Sequence, residues 1–396
     1  MKIFTNLKRV VVKGLSHFYK RDKKLWIFGE WFGKRCCDNS LYLANFVVEN
    51  YSDITAVWIA EKDADLSLLD KRVKVIEKNT EESIKLCKKA GVVIMNQGWT
   101  DLNDEYINYF GGAVTINLWH GVPWKKIFMD SFKFKNKFKK FVAKTLNKIL
   151  EPKYYLALSD EFGEILEKSV PTKKKNVILA GYPRNSLFYK NDIVKEKKEK
   201  IIHIVNEKFN KNFKDIKIIT YMPTFRDKTR ETFSFNNIIN NTELLEILKL
   251  NKAIVIEKAH FVNRENEIFE NKKDYVFNIN DISAQELLAA SDMLITDYSS
   301  CFFDYLVLDR PIVHYLYDYD YYVNDDRGVY YKKEDVVCGD VAFDEKQLIN
   351  VIANNLKNPL NNKELRKLRR ERFLQYESEN ACQQICDFIF KKIRVK

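Results

Sequence analysis

The stretch Leu294 to Pro311 reads L-I-T-D-Y-S-S-C-F-F-D-Y-L-V-L-D-R-P and predicts a strand, a polar turn and a helix in close succession. The apolar run that ends at Ile295 indicates a short buried strand, and an apolar helical pattern begins at Phe302. Ser299 and Ser300 lie between the two, where backbone N–H groups and hydroxyls are available to an anion. Two interpretations stay open: the serines cap the helix, or they bind a phosphate-bearing ligand at the carboxyl edge of a parallel sheet.

Strands and helices alternate on both sides of this stretch, which predicts parallel sheets in two successive domains. Strands are predicted at 25–29, 55–60, 73–76, 92–96, 113–118, 154–158 and 177–180, and again at 217–222, 253–257, 275–278, 293–296 and 312–315. Helices are predicted at 39–50, 192–212 and 362–396. The expected fold class is α/β, of the GT-B type, with two Rossmann-like, doubly wound domains that face each other across a cleft.

The predicted domain boundaries divide the chain into four segments. They are a basic amphipathic leader (1–24), an N-terminal Rossmann-like domain (25–185) that includes a basic helix at 131–150, a C-terminal Rossmann-like domain (186–375), and a C-terminal helix (376–396). We expect the last helix to pack back on the N-terminal domain.

The composition favours anionic partners, because Lys and Arg total 67 against 55 Asp and Glu, a net charge of +12. The seven cysteines form no disulfide framework and lack the partners of a zinc site, so we predict reduced thiols and no metal. No apolar run approaches the roughly 20 residues of a transmembrane helix. These features predict a cytoplasmic protein that can touch a membrane surface peripherally.

Several motifs follow one another in a characteristic order. They are F-G-E-W-F-G-K (28–34), N-L-W-H-G-V-P-W-K-K (117–126), G-Y-P-R-N (181–185), M-P-T-F-R-D (222–227), K-A-H (258–260) and D-R-G (326–328), together with the stretch quoted above. With this order and spacing, most of the chain resembles the CDP-glycerol:polyglycerophosphate glycerophosphotransferases of teichoic acid and capsule assembly.

The resemblance implies a metal-independent GT-B enzyme that uses no cofactor. Such an enzyme transfers glycerol phosphate or ribitol phosphate from CDP-glycerol or CDP-ribitol to a hydroxyl of a lipid-linked polymer and releases CMP. The N-terminal domain would bind the acceptor and the C-terminal domain the CDP donor, at the cytoplasmic face of the cell membrane. The sequence leaves open the choice between glycerol and ribitol, the number of units added and a homo-oligomeric state.

The resemblance assigns catalysis to His120 and His260, each of which follows a predicted strand. It assigns donor-phosphate contacts to Ser299, Ser300 and Arg327. Histidine suits the removal of a hydroxyl proton because its unperturbed pKa lies near about 6.5. From the local sequence alone, a packed histidine at position 120 and an ordinary surface histidine at position 260 remain alternatives.

Other polar residues near strand ends extend the predicted site. Thr224, Arg226 and Asp297 are placed on the donor side, although Arg226 can equally form a structural ion pair and Asp297 can cap a helix.

On the acceptor side the prediction names Glu30, Asp38 and Asn39, which lie near the first strand and the start of the next helix. The alternative for Asp38 or Asn39 is a plain N-cap of that helix.

The helix predicted at 131–150 carries a basic stripe opposite a Phe-rich face. The stripe at helical spacing includes Lys133, Lys137, Lys140 and Lys144. A basic amphipathic helix of this kind fits an anionic bilayer surface, and the N-terminal segment repeats the pattern. The alternative is that both apolar stripes pack on the protein core.

Two other functions compete with the transferase. A GT-B glycosyltransferase that uses a nucleotide sugar in cell-surface polysaccharide synthesis would share the fold and the anion-binding turn. A non-enzymatic basic protein would bind a membrane or a nucleic acid, but the basic residues are not interleaved with a nucleic-acid motif, so we predict no nucleic-acid partner.

Overall fold

The computed structural model describes residues 2–131, 136–170, 172–224, 226, 232–258, 274–325 and 328–394. The chain forms two compact units. The first unit comprises residues 1–120, 128–186 and 375–396, and the second comprises residues 121–127 and 187–374. The C-terminal segment therefore belongs to the first unit, and the short segment 121–127 belongs to the second although its flanking residues belong to the first.

The first unit is built around a parallel sheet. Its strands are β1 (Asp22–Phe28), β2 (Thr55–Ala60), β3 (Lys74–Glu77), β4 (Ala90–Met95), β5 (Val114–Asn117), β6 (Tyr154–Ala157) and β7 (Val177–Leu179). Its first helices are α1 (Lys2–Leu15), α2 (Asn39–Asn50), α3 (Glu81–Lys89), α4 (Lys137–Leu150) and α5 (Asp160–Ser169). Among the described residues the strand order is β3-β2-β1-β4-β5-β6-β7. β4 is apolar and buried along its whole length, as expected of a strand covered on both faces.

The second unit holds another parallel sheet. Its strands are β8 (Lys217–Met222), β9 (Ala253–Glu257), β10 (Val276–Asn278), β11 (Met293–Thr296), β12 (Ile312–Tyr315) and β13 (Asp340–Ala342), in the described order β10-β9-β8-β11-β12-β13. Its helices are α6 (Asn191–Phe209), α7 (Thr242–Leu250), α8 (Ala284–Ala290), α9 (Cys301–Tyr305), α10 (Tyr319–Asp325), α11 (Lys333–Val336), α12 (Glu345–Lys357) and α13 (Lys363–Phe373). The last helix, α14 (Ala381–Arg394), belongs to the first unit. In the described part of the chain, no helix has the length and apolar character needed to cross a membrane.

The predicted strands are present, and several have the predicted bounds. Strands β2, β8, β9, β11 and β12 and helix α2 begin and end as expected. The expected α/β fold class is confirmed. Strand β13 was not predicted, because its three residues, D-V-A, carry no apolar run.

Two helix predictions are wrong in extent. The helix expected at 131–150 begins at Lys137, because the side chain of Asn136 accepts a hydrogen bond from the N–H of Phe138 at 2.7 Å and caps it. The helix expected at 362–396 is two helices. It is interrupted after Phe373, where the N–H of Tyr376 donates to the carbonyl of Leu158 at 2.8 Å instead of continuing the helix.

Each sheet reverses its strand order at one point, and ligands of open α/β sheets bind in the crevice at that point. In the first unit the crevice lies between the carboxyl ends of β1 and β4, and in the second between those of β8 and β11. The segments that border the first crevice are 29–33 and 96–98, and those that border the second are 223–224 and 297–300. Both sets contain motif residues.

His314 lies on β12 and is fully buried in the second unit. The N–H of Cys338 donates to its Nε2 at 3.2 Å, and the ring packs edge-to-face against Trp124 and Phe302. Burial lowers the pKa of the His314 imidazole to about 4. The ring is therefore neutral at physiological pH and serves as a core residue.

We expect His314 to make the protein less stable as the pH falls from about 6.5 to about 4. In this window the unfolded chain binds a proton at His314 that the folded chain does not, so the free energy of unfolding falls with pH, by roughly 3 kcal/mol over the window. Substitution His314→Gln should flatten this decline in urea unfolding measured at about pH 7.5 and 4.5. His203→Gln, on the exposed surface of α6, is the control and should keep the wild-type slope. An unchanged slope in His314→Gln would contradict the assignment.

Candidate active site

His120 lies just beyond the carboxyl end of β5 with its side chain exposed. Asn117, the last residue of β5, accepts a hydrogen bond from the N–H of Trp119 at 2.8 Å, and Trp119 adopts a left-handed backbone with a φ of 60°. This turn stacks the His120 ring on the buried Trp119 indole, with centroids 5.2 Å apart and planes inclined by 17°. The imidazole is thus presented at the edge of the sheet, where it can accept a proton.

The loop that carries His120 is held by buried polar side chains. Nη1 of Arg184 donates to the carbonyl of His120 at 3.2 Å and to Oδ1 of Asp38 at 2.7 Å. The amide of Asn39 donates to the carbonyl of Trp119 at 3.1 Å. The sequence analysis assigned no role to Arg184, although it lies in the quoted G-Y-P-R-N motif, because its two partners are far from it in the chain.

The three residues predicted on the acceptor side are almost completely buried. Glu30 accepts hydrogen bonds from the N–H groups of Cys37 and Asp38, and burial together with the nearby Asp38 charge raises its pKa well above the usual range. Asp38 caps α2 by accepting from the N–H of Asn39 at 2.7 Å. These contacts support a positioning role for Glu30, Asp38 and Asn39 in the loops around His120.

The predicted donor turn lies at the crevice of the second sheet. Oδ1 of Asp297 accepts hydrogen bonds from the N–H of Thr224 at 2.8 Å and from the N–H of Tyr298 at 2.6 Å, which joins the ends of β8 and β11. Ser299 and Ser300 are half-buried. Ser299 accepts a long hydrogen bond of 3.4 Å from the N–H of Cys301, whereas Ser300 makes no side-chain cap bond to α9. Both hydroxyls therefore keep hydrogen-bonding capacity for a ligand.

Comparison with known proteins identifies the family. The sequence profile of the CDP-Glycerol:Poly(glycerophosphate) glycerophosphotransferases matches residues 12–391. The chain belongs to this family. The resemblance inferred from the motifs is confirmed, and the chain is an enzyme of the glycerophosphotransferase class.

Individual relatives agree with this membership. A teichoic acid poly(glycerol phosphate) polymerase of Bacillus spizizenii is 28% identical over 348 residues, which cover 84% of this chain and 84% of the relative. A teichoic acid glycerol-phosphate transferase of Staphylococcus aureus is 27% identical over 387 residues, which cover 93% of this chain and 94% of the relative. The solved structure of the wall teichoic acid polymerase TagF matches with a TM-score of 0.80 at 21% identity, over 99% of this chain and 97% of that one. This structural match shows that the present chain, a glycerophosphotransferase, has a GT-B-type fold.

Three predicted residues of the glycerophosphotransferase lie outside the described residues: His260, Arg327 and Lys133. The chain next to Arg327 is described, and it pairs with the segment that follows His120. The N–H of Lys126 donates to the carbonyl of Gly328 at 3.1 Å, and the N–H of Tyr330 donates to the carbonyl of Trp124 at 2.8 Å.

Trp124 is a second residue that the sequence analysis did not single out. Its indole is buried in the second unit and packs against Tyr298 and Phe302, on either side of the predicted donor serines. Its Nε1–H donates to the carbonyl of Tyr331 at 3.0 Å. Trp124 therefore contacts both the serine turn and the segment that follows the D-R-G motif. Its position in the W-H-G-V-P-W motif could have identified it as a site residue from the sequence.

Arg226 is fully buried, and five hydrogen bonds to other described residues use its guanidinium donors. It donates to Asp318 through Nε at 2.7 Å and Nη2 at 3.0 Å, and to Asp297 through Nη1 at 2.9 Å. The remaining bonds go to the carbonyl of Thr224 and to the hydroxyl of Tyr317. Because a guanidinium has five N–H donors, this arrangement supports a positioning role in place of direct donor contact.

Within the described ranges, no group of three or more His, Cys, Asp or Glu side chains could hold a metal ion.

We expect Arg226→Met to lower the free energy of unfolding by about 3–5 kcal/mol, because the buried Asp297 would lose its counter-charge. Urea unfolding followed by tryptophan fluorescence measures this loss. Arg72→Met is the matched control, since Arg72 pairs with Asp70 at 2.7 Å on the exposed surface. It should remain close to wild type. Equal losses in the two variants would refute the central role of Arg226.

Proposed function

We propose that this enzyme transfers glycerol phosphate from CDP-glycerol to a terminal hydroxyl of a teichoic acid polymer and releases CMP. The family match over residues 12–391 carries the proposal. The names of both relatives described above specify glycerol phosphate, which supports glycerol over ribitol as the transferred alditol. The exposed imidazole of His120 and the hydroxyl-lined turn at Ser299 supply groups that this reaction needs.

The reaction is a substitution at the phosphorus that carries glycerol. The acceptor hydroxyl oxygen forms a new bond to this phosphorus while the bond to the bridging oxygen of the diphosphate breaks, and CMP leaves with that electron pair. In our proposal His120 takes the hydroxyl proton, since histidine is the side chain most often used as a general base. We propose His260 as the second catalytic histidine, on the strength of the K-A-H motif.

The negative charge that develops on the departing CMP needs hydrogen-bond donors and positive charge. We propose that the hydroxyls of Ser299 and Ser300 and the guanidinium of Arg327 provide them. The hydroxyl of Thr224 supports this assignment, because it is buried and has no hydrogen-bond partner among the described residues. An unpaired buried hydroxyl is unfavourable, and a phosphate oxygen at the crevice would satisfy it.

The donor assay tests the proposal. The purified enzyme, given a glycerol phosphate-primed acceptor, should release CMP from CDP-glycerol faster than from CDP-ribitol, with a product longer by glycerol phosphate units in mass analysis. His120→Ala should reduce this rate by about 10²–10⁴-fold, because general-base catalysis is lost. His203→Ala, on the exposed face of α6, should leave the rate unchanged.

Two outcomes would reject parts of this proposal. Nucleotide release only from a sugar donor would favour a glycosyltransferase. Wild-type turnover in His120→Ala would remove His120 from the mechanism.

We also propose that α1 and α4 attach the enzyme peripherally to an anionic membrane on its cytoplasmic face. The two helices contact each other. Together with the turn that follows α1 they expose several apolar side chains, here called the α1–α4 apolar face. Its members are Leu7, Val11, Leu15, Phe18, Phe138, Phe141, Val142 and Ile149. A helix on a protein surface normally buries its apolar side. The exposure of the eight named side chains counts against the alternative in which they pack on the core.

Two basic residues of α1 make polar contacts with the rest of the first unit. Lys8 pairs with Glu105 at 2.7 Å, and Arg9 donates to the carbonyl of Tyr106 at 3.0 Å, so polar contacts tie the helix to the first unit. On α4, Lys140 and Lys144 are exposed to solvent, and exposed basic side chains of a helix at a bilayer surface can reach lipid headgroups. The side chain of Lys137 lies outside the described residues. An enzyme held on the bilayer would share a surface with a lipid-linked acceptor.

Flotation with vesicles tests this attachment. The double variant Lys140→Glu/Lys144→Glu should bind phosphatidylglycerol vesicles at least about tenfold more weakly than wild type, since each basic residue near the surface contributes about 1 kcal/mol. The double variant Lys346→Glu/Lys357→Glu, on the exposed side of α12, changes the net charge equally and should bind normally. Equal flotation of the two double variants would argue against the α1–α4 apolar face.

A further inference from the structure

Directly after β1 the backbone makes a left-handed turn at Trp31, Phe32 and Gly33, whose φ angles are 47°, 61° and 80°. Glycine adopts this conformation readily, whereas residues with a Cβ are strained in it. Two large aromatic residues thus occupy positions at which glycine would be less strained. Strain of this kind persists only where the surrounding structure holds it, and it is concentrated at functional sites.

Long-range hydrogen bonds hold the turn in this conformation. The N–H of Trp31 donates to Oε1 of Gln97 at 2.7 Å, and the N–H of Phe32 donates to Oδ1 of Asp101 at 2.9 Å. Nζ of Lys78 donates to the carbonyl of Phe32 at 2.9 Å, and the side chain of Lys78 is only 2% exposed. Three buried or partly buried polar side chains from other loops therefore fix the backbone of two aromatic residues.

The turn directs its two rings to different surroundings. The indole of Trp31 donates to Oδ2 of Asp38 at 3.1 Å, and its ring centroid lies 6.5 Å from that of His120. The ring of Phe32 is 39% exposed, and the next residue but one, Lys34, is exposed as well. The turn also borders the crevice between β1 and β4, the place in this sheet where a ligand is expected.

We propose that the turn Trp31–Gly33 is an acceptor-binding element in which the ring of Phe32 contacts the phosphate-linked polyol end of the acceptor at the crevice between β1 and β4. An aromatic face accepts the C–H groups of a polyol or sugar without a charge that would repel phosphate, and Lys34 supplies a positive charge for the phosphates. The identity of the acceptor rests on the proposed function. The strain is retained because glycine at position 32 would remove the binding surface.

The test compares stability with acceptor binding in Phe32→Gly, Phe32→Tyr and a matched control. The control is Lys252→Gly, since Lys252 is an exposed residue with a φ of 48° between α7 and β9. Both glycine variants relieve one strained position, so each should keep the wild-type Tm or raise it by up to about 3 °C. Binding is measured by titration calorimetry with a short synthetic glycerol phosphate oligomer and no CDP-alditol present, and transfer is measured as CMP release.

We expect Phe32→Gly to bind the oligomer about tenfold more weakly and to raise the acceptor KM by a similar factor. Its KM for CDP-glycerol should remain within about twofold of wild type. Phe32→Tyr should keep the acceptor affinity of the wild-type enzyme, because it retains an aromatic ring. Lys252→Gly should show wild-type binding and kinetics. A purely structural turn would instead lower the Tm and affect both substrates together.

Three results would overturn the inference. They are an acceptor affinity of Phe32→Gly equal to wild type, a fall in its Tm accompanied by loss of donor binding, and failure of the wild-type enzyme to bind the oligomer. A wild-type enzyme that binds the oligomer through Phe32 but releases no CMP from CDP-glycerol would reject the proposed transfer reaction and leave the acceptor contact supported. The two failures are therefore distinguishable.

Discussion

The pairing of Arg226 with Asp297 and Asp318 is the interaction on which the carboxyl edge of the second sheet depends. One guanidinium joins the segments that follow β8, β11 and β12, and neither Arg226 nor Asp297 is exposed to solvent. Taking charges out of water is unfavourable, so such a group is retained only with complete hydrogen bonding. Here the fork of Arg226 satisfies that condition and at the same time fixes the turn that carries Ser299 and Ser300.

The first unit uses the same construction around His120. A buried Arg184 joins Asp38, at the start of α2, to the carbonyl of His120, and Asn39 holds the preceding carbonyl. In both units an Arg–Asp pair positions a loop at the carboxyl edge of a parallel sheet. Apolar packing builds the sheets. Buried polar side chains, which a ligand cannot reach, set the geometry of the loops at the strand ends. Loss of activity is therefore expected from substitutions at residues that contact no substrate.

Backbone strain and exposed apolar side chains occur at the places where we propose that the acceptor and the membrane bind. The left-handed residues Trp31, Phe32 and Trp119 each carry about 1–2 kcal/mol of unfavourable conformational energy. The α1–α4 apolar face leaves large side chains in water. A sequence selected for stability alone would have glycine at the left-handed positions and polar residues on the α1–α4 apolar face. Both departures from the stablest choice become reasonable if an acceptor and a membrane cover them.

The amino-acid sequence alone was sufficient to predict both parallel sheets and the family. Strands buried on both faces, such as β8, β9, β11 and β12, appear as continuous apolar runs, and the motifs between them keep a characteristic order. The roles of the polar residues near strand ends were decided only by tertiary structure. Arg226 looks like a phosphate ligand in the sequence, but its partner Asp318 is 92 residues away, and Arg184 meets Asp38 across 146 residues. A side chain at a strand end has the same local sequence whether it points to a ligand or to a neighbouring loop, because the choice depends on groups that only folding brings within hydrogen-bond distance.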